Sequence, residues 1–220
     1  MLSSNALWLT QVASLEDRFE GSYPVPTAER IRAIEQTVER IELPADVSSA
    51  YVPEYSERSL ARLRQRVYVN CWYAGLNESA ALWQWAERKG QSVAIRTTYE
   101  LLRAAIHGMT ETYSGRVRYL NYQRDPVPFS HKLGVFFCKR KSFQHEQEVR
   151  VVVQRRPESS AASSGIALPV DLSALVKGVV VAPRAGDWYL SVVKTTLLRF
   201  GYSHLANCVR KSELDKDPIY

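Results

Sequence analysis

Within "KRKSFQHEQEVRVVV", residues 139–153, Glu146, Glu148 and Arg150 stand at alternate positions directly before the run Val151–Val153. If the stretch is a strand, side chains two apart share a face. Glu146, Glu148, Arg150 and Val152 then point one way, and Val149, Val151 and Val153 the other. On a covered face Arg150 would hold Glu148 ionised through a bidentate pair, while Glu146 would feel the repulsion of Glu148. Two neighbouring carboxylates in different environments are the raw material of acid–base or transition-state-charge chemistry. The plain alternative is a surface strand carrying cross-strand ion pairs.

Other residues invite a ligand. Glu78 falls inside the apolar stripe Ala81, Leu82, Trp85 and Ala86 of a helix expected over 78–89. There an acid complements the helix dipole beside an Asn77 N-cap, pairs with an arginine, or positions a ligand hydroxyl. Trp72 and Trp83 are stacking surfaces for a base or nicotinamide ring, or simply core. Arg96, Thr97 and Thr98 end a strand at a helix start, where hydroxyls and free N–H groups receive phosphate or cap the helix. Cys71, inside "VYVNCWYA", reads as a small buried hydrophobe before it reads as a nucleophile.

The elements that must position these groups follow from periodicity and caps. "NALWLT" is expected as a short strand. Residues 27–43 form a helix with Thr27 as N-cap and Ile31, Ile34, Val38 and Ile41 on one face. Residues 56–67 form a basic helix capped by Ser56, with Leu60, Leu63 and Val67 facing in. Strands follow at 67–74, 92–98 and 116–122, with helices at 78–89, closed by Gly90, and from Tyr99. "PESSAASSG" (157–165) is a polar loop, "IALPV" and "GVVVAP" are strands, and 186–201 is a helix capped by Asp187. Trp188, Val192, Leu197 and Phe200 are its expected core residues, and "NCVRKSEL" supplies a last strand. Irregularly ordered strands and helices without a repeat point to one α+β domain over residues 1–220, with a mixed, mostly antiparallel sheet flanked by helices.

Composition narrows the class. With 45% hydrophobic and 24% charged residues the chain is globular, and no apolar run reaches the ~20 residues of a membrane span. Three scattered cysteines and four scattered histidines make neither a disulfide framework nor a metal site, which suits a reducing cytoplasm. The net charge of +6 is compatible with a nucleotide or nucleic-acid partner without demanding one. Basic residues gather at 56–67, 138–141 and 153–157, as a phosphate-binding surface or as solvated faces.

Six ordered blocks carry a resemblance: "LWLTQVASLEDRFEG", "CWYAGLNESAALWQWA", "VAIRTTYELLRAAI", "VRYLNY", "KRKSFQHEQEVRVVV" and "VVVAPRAGDWY". Together they resemble the bacterial domain-of-unknown-function 2971 family. Members carry a further arginine- and tyrosine-bearing strand ahead of "LWLT", so the resemblance implies that this chain lacks an N-terminal strand of its relatives. The strand-borne Glu-x-Glu is also similar to the layout of ADP-ribosyltransferases. That likeness implies NAD as co-substrate and a protein acceptor. Glu148 would stabilise the oxocarbenium ion as nicotinamide leaves, Glu146 would orient the acceptor, and Thr97 and Thr98 would support the pocket. Thr-Thr departs from the usual Ser-Thr-Ser, and the usual first-strand Arg or His is missing. Two other classes compete. One is a non-catalytic nucleic-acid or partner-binding module built on the arginine-rich surfaces. The other is a nuclease holding magnesium on Glu148 and Asp125, for which Arg150 is a poor substitute for the usual lysine.

Overall fold

The computed structural model describes residues 1–40, 56–86, 91–128, 131–155 and 164–219. Ile41, Gly90, Arg156, most of the loop 157–165 and the side chain of Val38 lie outside the described residues. The fold is α+β, with a mostly antiparallel five-stranded sheet, two smaller sheets and flanking helices. Contacts gather the chain into two compact units. One comprises residues 9–74 and 110–166, and the other 1–8, 75–109 and 167–220.

The first unit holds most of the large sheet. Its strands are β1 (Ala6–Gln11), β2 (Val67–Tyr73), β4 (Thr112–Arg116), β7 (Glu148–Gln154) and β8 (Gly165–Pro169), in the order β4-β7-β2-β1-β8. β1 and β8 contribute only their ends, Leu9–Gln11 and Gly165–Ile166, to this unit. β7 is antiparallel to both neighbours, with Arg150 opposite Cys71 of β2 and Gly115 of β4. A strand paired on both sides suits an uninterrupted run of branched valines. Val12, Leu60, Val67, Val69, Leu133, Val135, Phe136 and Val152 form the core of this unit. Each such side chain contributes about 1.5–3 kcal/mol by leaving water. The basic helix α2 (Glu57–Arg64) is capped by the Ser56 hydroxyl, which accepts from the Ser59 N–H, and it buries Leu60. β5 (Arg118–Leu120) and β6 (Cys138–Arg140) pair in parallel.

Four expectations change here. Glu146 is not on the strand. It ends a 3-10 turn over Lys141–Glu146, Gln147 turns left-handed at φ 41°, and β7 begins only at Glu148. The expected strand 116–122 divides, because Arg116 closes β4 and Arg118 opens β5 against a different partner. Helix α1 runs Val25–Arg40, so Thr27 lies inside its first turn, where its hydroxyl accepts from the Val127 N–H. Ile34 is exposed rather than core.

The second unit carries β10 (Val209–Lys211), β9 (Gly178–Val181) and β3 (Val93–Arg96) in that order, parallel and then antiparallel. Its helices are α3 (Ala80–Ala86), α4 (Tyr99–Ala105), α5 (Leu172–Leu175), α6 (Asp187–Arg199) and α7 (Ser203–Ala206). α3 starts two residues later than expected, with the Ser79 hydroxyl rather than Asn77 accepting from the Leu82 N–H. Trp83, not Trp85, packs onto Val180 and Ala182. In α6 Gly186 takes the N-cap position, and Asp187 instead pairs with Lys211 at 2.8 Å. Leu197 is core, whereas Trp188, Val192 and Phe200 are exposed; Trp188 lies so close over Gly186 that a Cβ there would meet its indole at 2.7 Å.

Candidate functional site: a buried arginine between two carboxylate forks

The face of β7 that packs on the core is apolar at Val152 and charged at its start. Glu148 and Arg150 are both buried, with side chains 6% and 1% exposed. Sequence alternation predicts this shared face. What it does not predict is the partner that makes burial tolerable. Glu20 comes from the turn after β1, where Gly21 adopts φ +64° and Glu20 N–H bonds to the Asp17 carbonyl. Its carboxylate forks onto Arg150, with Nη1 to Oε2 and Nη2 to Oε1 both 2.8 Å. Glu148 forms a second fork, receiving Nε at 2.6 Å and Nη2 at 3.2 Å. The remaining Nη1 proton goes to the carbonyl of Phe136 at 3.0 Å. All five guanidinium donors are thereby used, which is the condition for holding an arginine in a dry core.

Lys139, on β6, closes the network. Its ammonium donates to Glu146, to Glu148 at 2.7 Å, and lies 3.3 Å from Glu20. The hydroxyl of Tyr119, its neighbour on β5, accepts from the Glu148 N–H at 2.8 Å. Three carboxylates and two cations leave one negative charge in excess. Burial opposes ionisation of Glu148, but Arg150 first, then Glu146 and Lys139, hold its carboxyl well below the usual range. Burial and contact with Glu148 push Glu146 the other way, against the pull of Lys139. Burial alone would lower Lys139; its bonds to Glu146 and Glu148 keep it charged and raise its pKa. Lys139 pulls both glutamates down; the Arg150 fork on Glu148 and the contact between the two carboxyls drive them apart.

Accessibility separates them too. Glu146 is 23% exposed, against 6% for Glu148 and 4% for Glu20. Lys139 faces the ring of Phe143 at 4.7 Å. Arg140 lies over Phe143 at 5.3 Å and over Phe19 at 4.2 Å, while its guanidinium pairs with Asp17 at 2.8 Å. Phe19, Arg140, Phe143, Glu16, Asp17 and Arg18 line an open cleft of about 430 Å³.

Glu146, Glu148 and Arg150 are therefore brought together, with Glu146 arriving by way of Lys139. Trp72 is not brought to them. It pairs with Val149, so its side chain takes the opposite sheet face, where the indole nitrogen is buried with no partner among the described residues. Cys71 shares the Arg150 face and, contrary to expectation, retains exposed surface. Its thiol is nonetheless withdrawn from water, and that burial pushes its pKa up to about 12 against the pull of Arg150, so it stays a neutral thiol at pH 7.

Arg96, Thr97, Thr98 and Glu78 belong to the second unit. Thr98 caps α4, accepting from the Leu101 N–H, and Thr97 donates its hydroxyl to the Leu175 carbonyl at 2.6 Å. Arg96 is exposed at the end of β3. Glu78 accepts from the Trp83 indole at 3.0 Å, the Ser212 hydroxyl at 2.5 Å and the Glu213 N–H at 3.1 Å, and pairs with Arg210. Burial raises its pKa, but these bonds outweigh it and leave the carboxyl below its ordinary value. Asp125 accepts from the Asn121 N–H in a turn, and no cluster of three or more His, Cys, Asp or Glu suited to a metal occurs among the described residues.

Glu20, Phe19 and Phe143 were not singled out by sequence reasoning, and Lys139 and Arg140 were read only as members of the basic run 138–141. Lys139 stood in the very stretch that raised the question, but β6 and β7 are separate strands, and spacing alone does not join them. Comparison with family models, with curated proteins and with solved structures finds no match to this chain.

Proposed function

We propose that the chain transfers the ADP-ribosyl group of NAD, with Glu146 as the carboxylate that meets the reacting groups. The observation that carries this reading is that Glu146, the one carboxylate of the network with appreciable exposure, also has a raised pKa. A carboxylate with raised pKa is a better base near neutral pH. A cleft lined by Phe143, whose ring faces the Lys139 that holds Glu146, has the lining such a ligand needs. Phenyl faces at Phe19 and Phe143 suit a base or nicotinamide ring, and Arg140 suits a diphosphate. Its volume falls within the roughly 300–1,000 Å³ of small-molecule sites.

In this scheme the bond between the ribose C1′ and the nicotinamide nitrogen breaks, its electron pair leaving with neutral nicotinamide. An acceptor nucleophile bonds to C1′ and gives its proton to Glu146. The network's excess negative charge favours the cationic character that develops on the ribose. Glu148 and Arg150 act as positioning residues: they fix Lys139, and Lys139 fixes Glu146. The resemblance to the Glu-x-Glu layout supports the reaction class, with the contact role moved from Glu148 to Glu146.

Incubation of the purified protein with NAD labelled in its adenylate half, with and without cell extract, tests the reading. The expected result is nicotinamide release with label passing to an acceptor. A folded protein that neither binds NAD nor releases nicotinamide overturns it.

A further inference from the structure

The first unit carries a second charged feature, separate from the buried network. Arg58, Arg62 and Arg66 recur every four residues along α2 and the turn after it, a rise of about 6 Å per step. Arg58 and Arg62 are exposed and Arg66 is half-buried. Like charges at this spacing destabilise an isolated helix. The acid on the helix, Glu57, is already bonded to Arg32 at 2.6 Å. Among the described residues Arg58, Arg62 and Arg66 form no ion pair.

Two further arginines are drawn to the C-terminal end of this row. Arg155 donates its backbone N–H to the Arg66 carbonyl at 2.9 Å. Arg64 donates Nη2 to the Arg18 carbonyl at 3.4 Å, while its Nε is buried without a partner among the described residues. Arg18 and Arg155 are both exposed. An external anion would supply the charge that this row lacks among the described residues.

We infer that this ridge binds the phosphate backbone of a nucleic acid. A row of guanidinium groups repeating along an axis matches a ligand whose charges repeat along a chain, and guanidinium is the side chain best suited to phosphate oxygens. Backbone contacts of this kind carry no sequence information, so binding is sequence-tolerant. The inference stands on the arginines of α2 and of the segments at its C-terminal end, and holds whether or not the protein uses NAD.

Fluorescence anisotropy of labelled single-stranded RNA and DNA oligonucleotides between about 50 and 200 mM salt tests it. Binding is expected to weaken steeply with salt. The triple variant Arg58→Gln, Arg62→Gln, Arg66→Gln should bind at least about tenfold more weakly at low salt, with a log–log slope shallower by about 2. The double variant Arg18→Gln, Arg155→Gln should also bind more weakly with a shallower slope. If the triple variant does not fold, Arg58→Gln and Arg62→Gln singly should each reduce the slope by about 0.7. Salt-independent binding, unchanged affinity in folded variants, or attachment to phosphatidylserine vesicles without affinity for either oligonucleotide overturns the inference.

Discussion

Arg150 sits where a hydrophobic side chain would be expected, facing the same core as Val152, and every one of its donors is occupied. Removing it strands Glu20 and Glu148 in a buried site. Arg150→Ala should therefore cost about 3–5 kcal/mol in a urea titration. Arg150→Lys should also be clearly destabilising, because a single ammonium cannot reproduce two forks. The pH dependence separates the two glutamates. The folded pKa of Glu148 is depressed, so its contribution is fully present above the unfolded value near ~4.3 and is lost as pH falls through the folded value. Glu146 has the opposite sign: its folded pKa is raised, so stability declines as pH rises from the unfolded value through the folded one. Urea midpoints against pH should show Glu148→Gln flattening the acid limb and Glu146→Gln removing the decline above it.

At the level of elements, the network depends on a turn, a 3-10 segment and two strands meeting at one point. Gly21 brings Glu20 in: it holds φ +64°, and a Cβ there would lie 2.5 Å from Phe136 Cε1. Gly21→Ala should lose about 1–3 kcal/mol by overpacking and strain, and it should loosen the Glu20 fork. Ser56→Ala, at the cap of α2, should cost about 1 kcal/mol in thermal unfolding and leave the network unchanged. The strand phase of Glu148, Arg150 and Val152 could be read from the chain because period-two alternation is local. The end of that phase at Gln147 could not, since a left-handed non-glycine residue leaves no compositional mark. The same limit explains α3 and α6. Each has competing apolar residues on adjacent faces, and a hydrogen bond from Trp83 to Glu78, or the stacking of Trp188 on Gly186, chooses between them.

Across the whole molecule, each compact unit is anchored by an acid that sequence reading noticed or missed for opposite reasons. Glu78 stood out as an acid in an apolar stripe, and its contacts are structural, fastening the segment around Ser212. Glu20 did not stand out, lying in an ordinary polar turn, and it completes the Arg150 site. The class of fold was recoverable from element order, whereas the grouping of residues 9–74 with 110–166 depends on long-range pairing that no local pattern encodes. Pairing on both edges of β7 should make the amides of Val151, Val152 and Val153 exchange with solvent most slowly among those of the first unit, measured by hydrogen exchange.

The central claim is that Glu146 meets the reacting groups while Glu148 and Arg150 hold it in place. The most direct measurement is the single-turnover rate of nicotinamide release from NAD by the wild-type protein and by Glu146→Gln, at matched folding stability. The account predicts release by the wild type and a rate lower by about 10²–10⁴-fold in the variant. Equal rates, or no release by the folded wild-type protein, would contradict it.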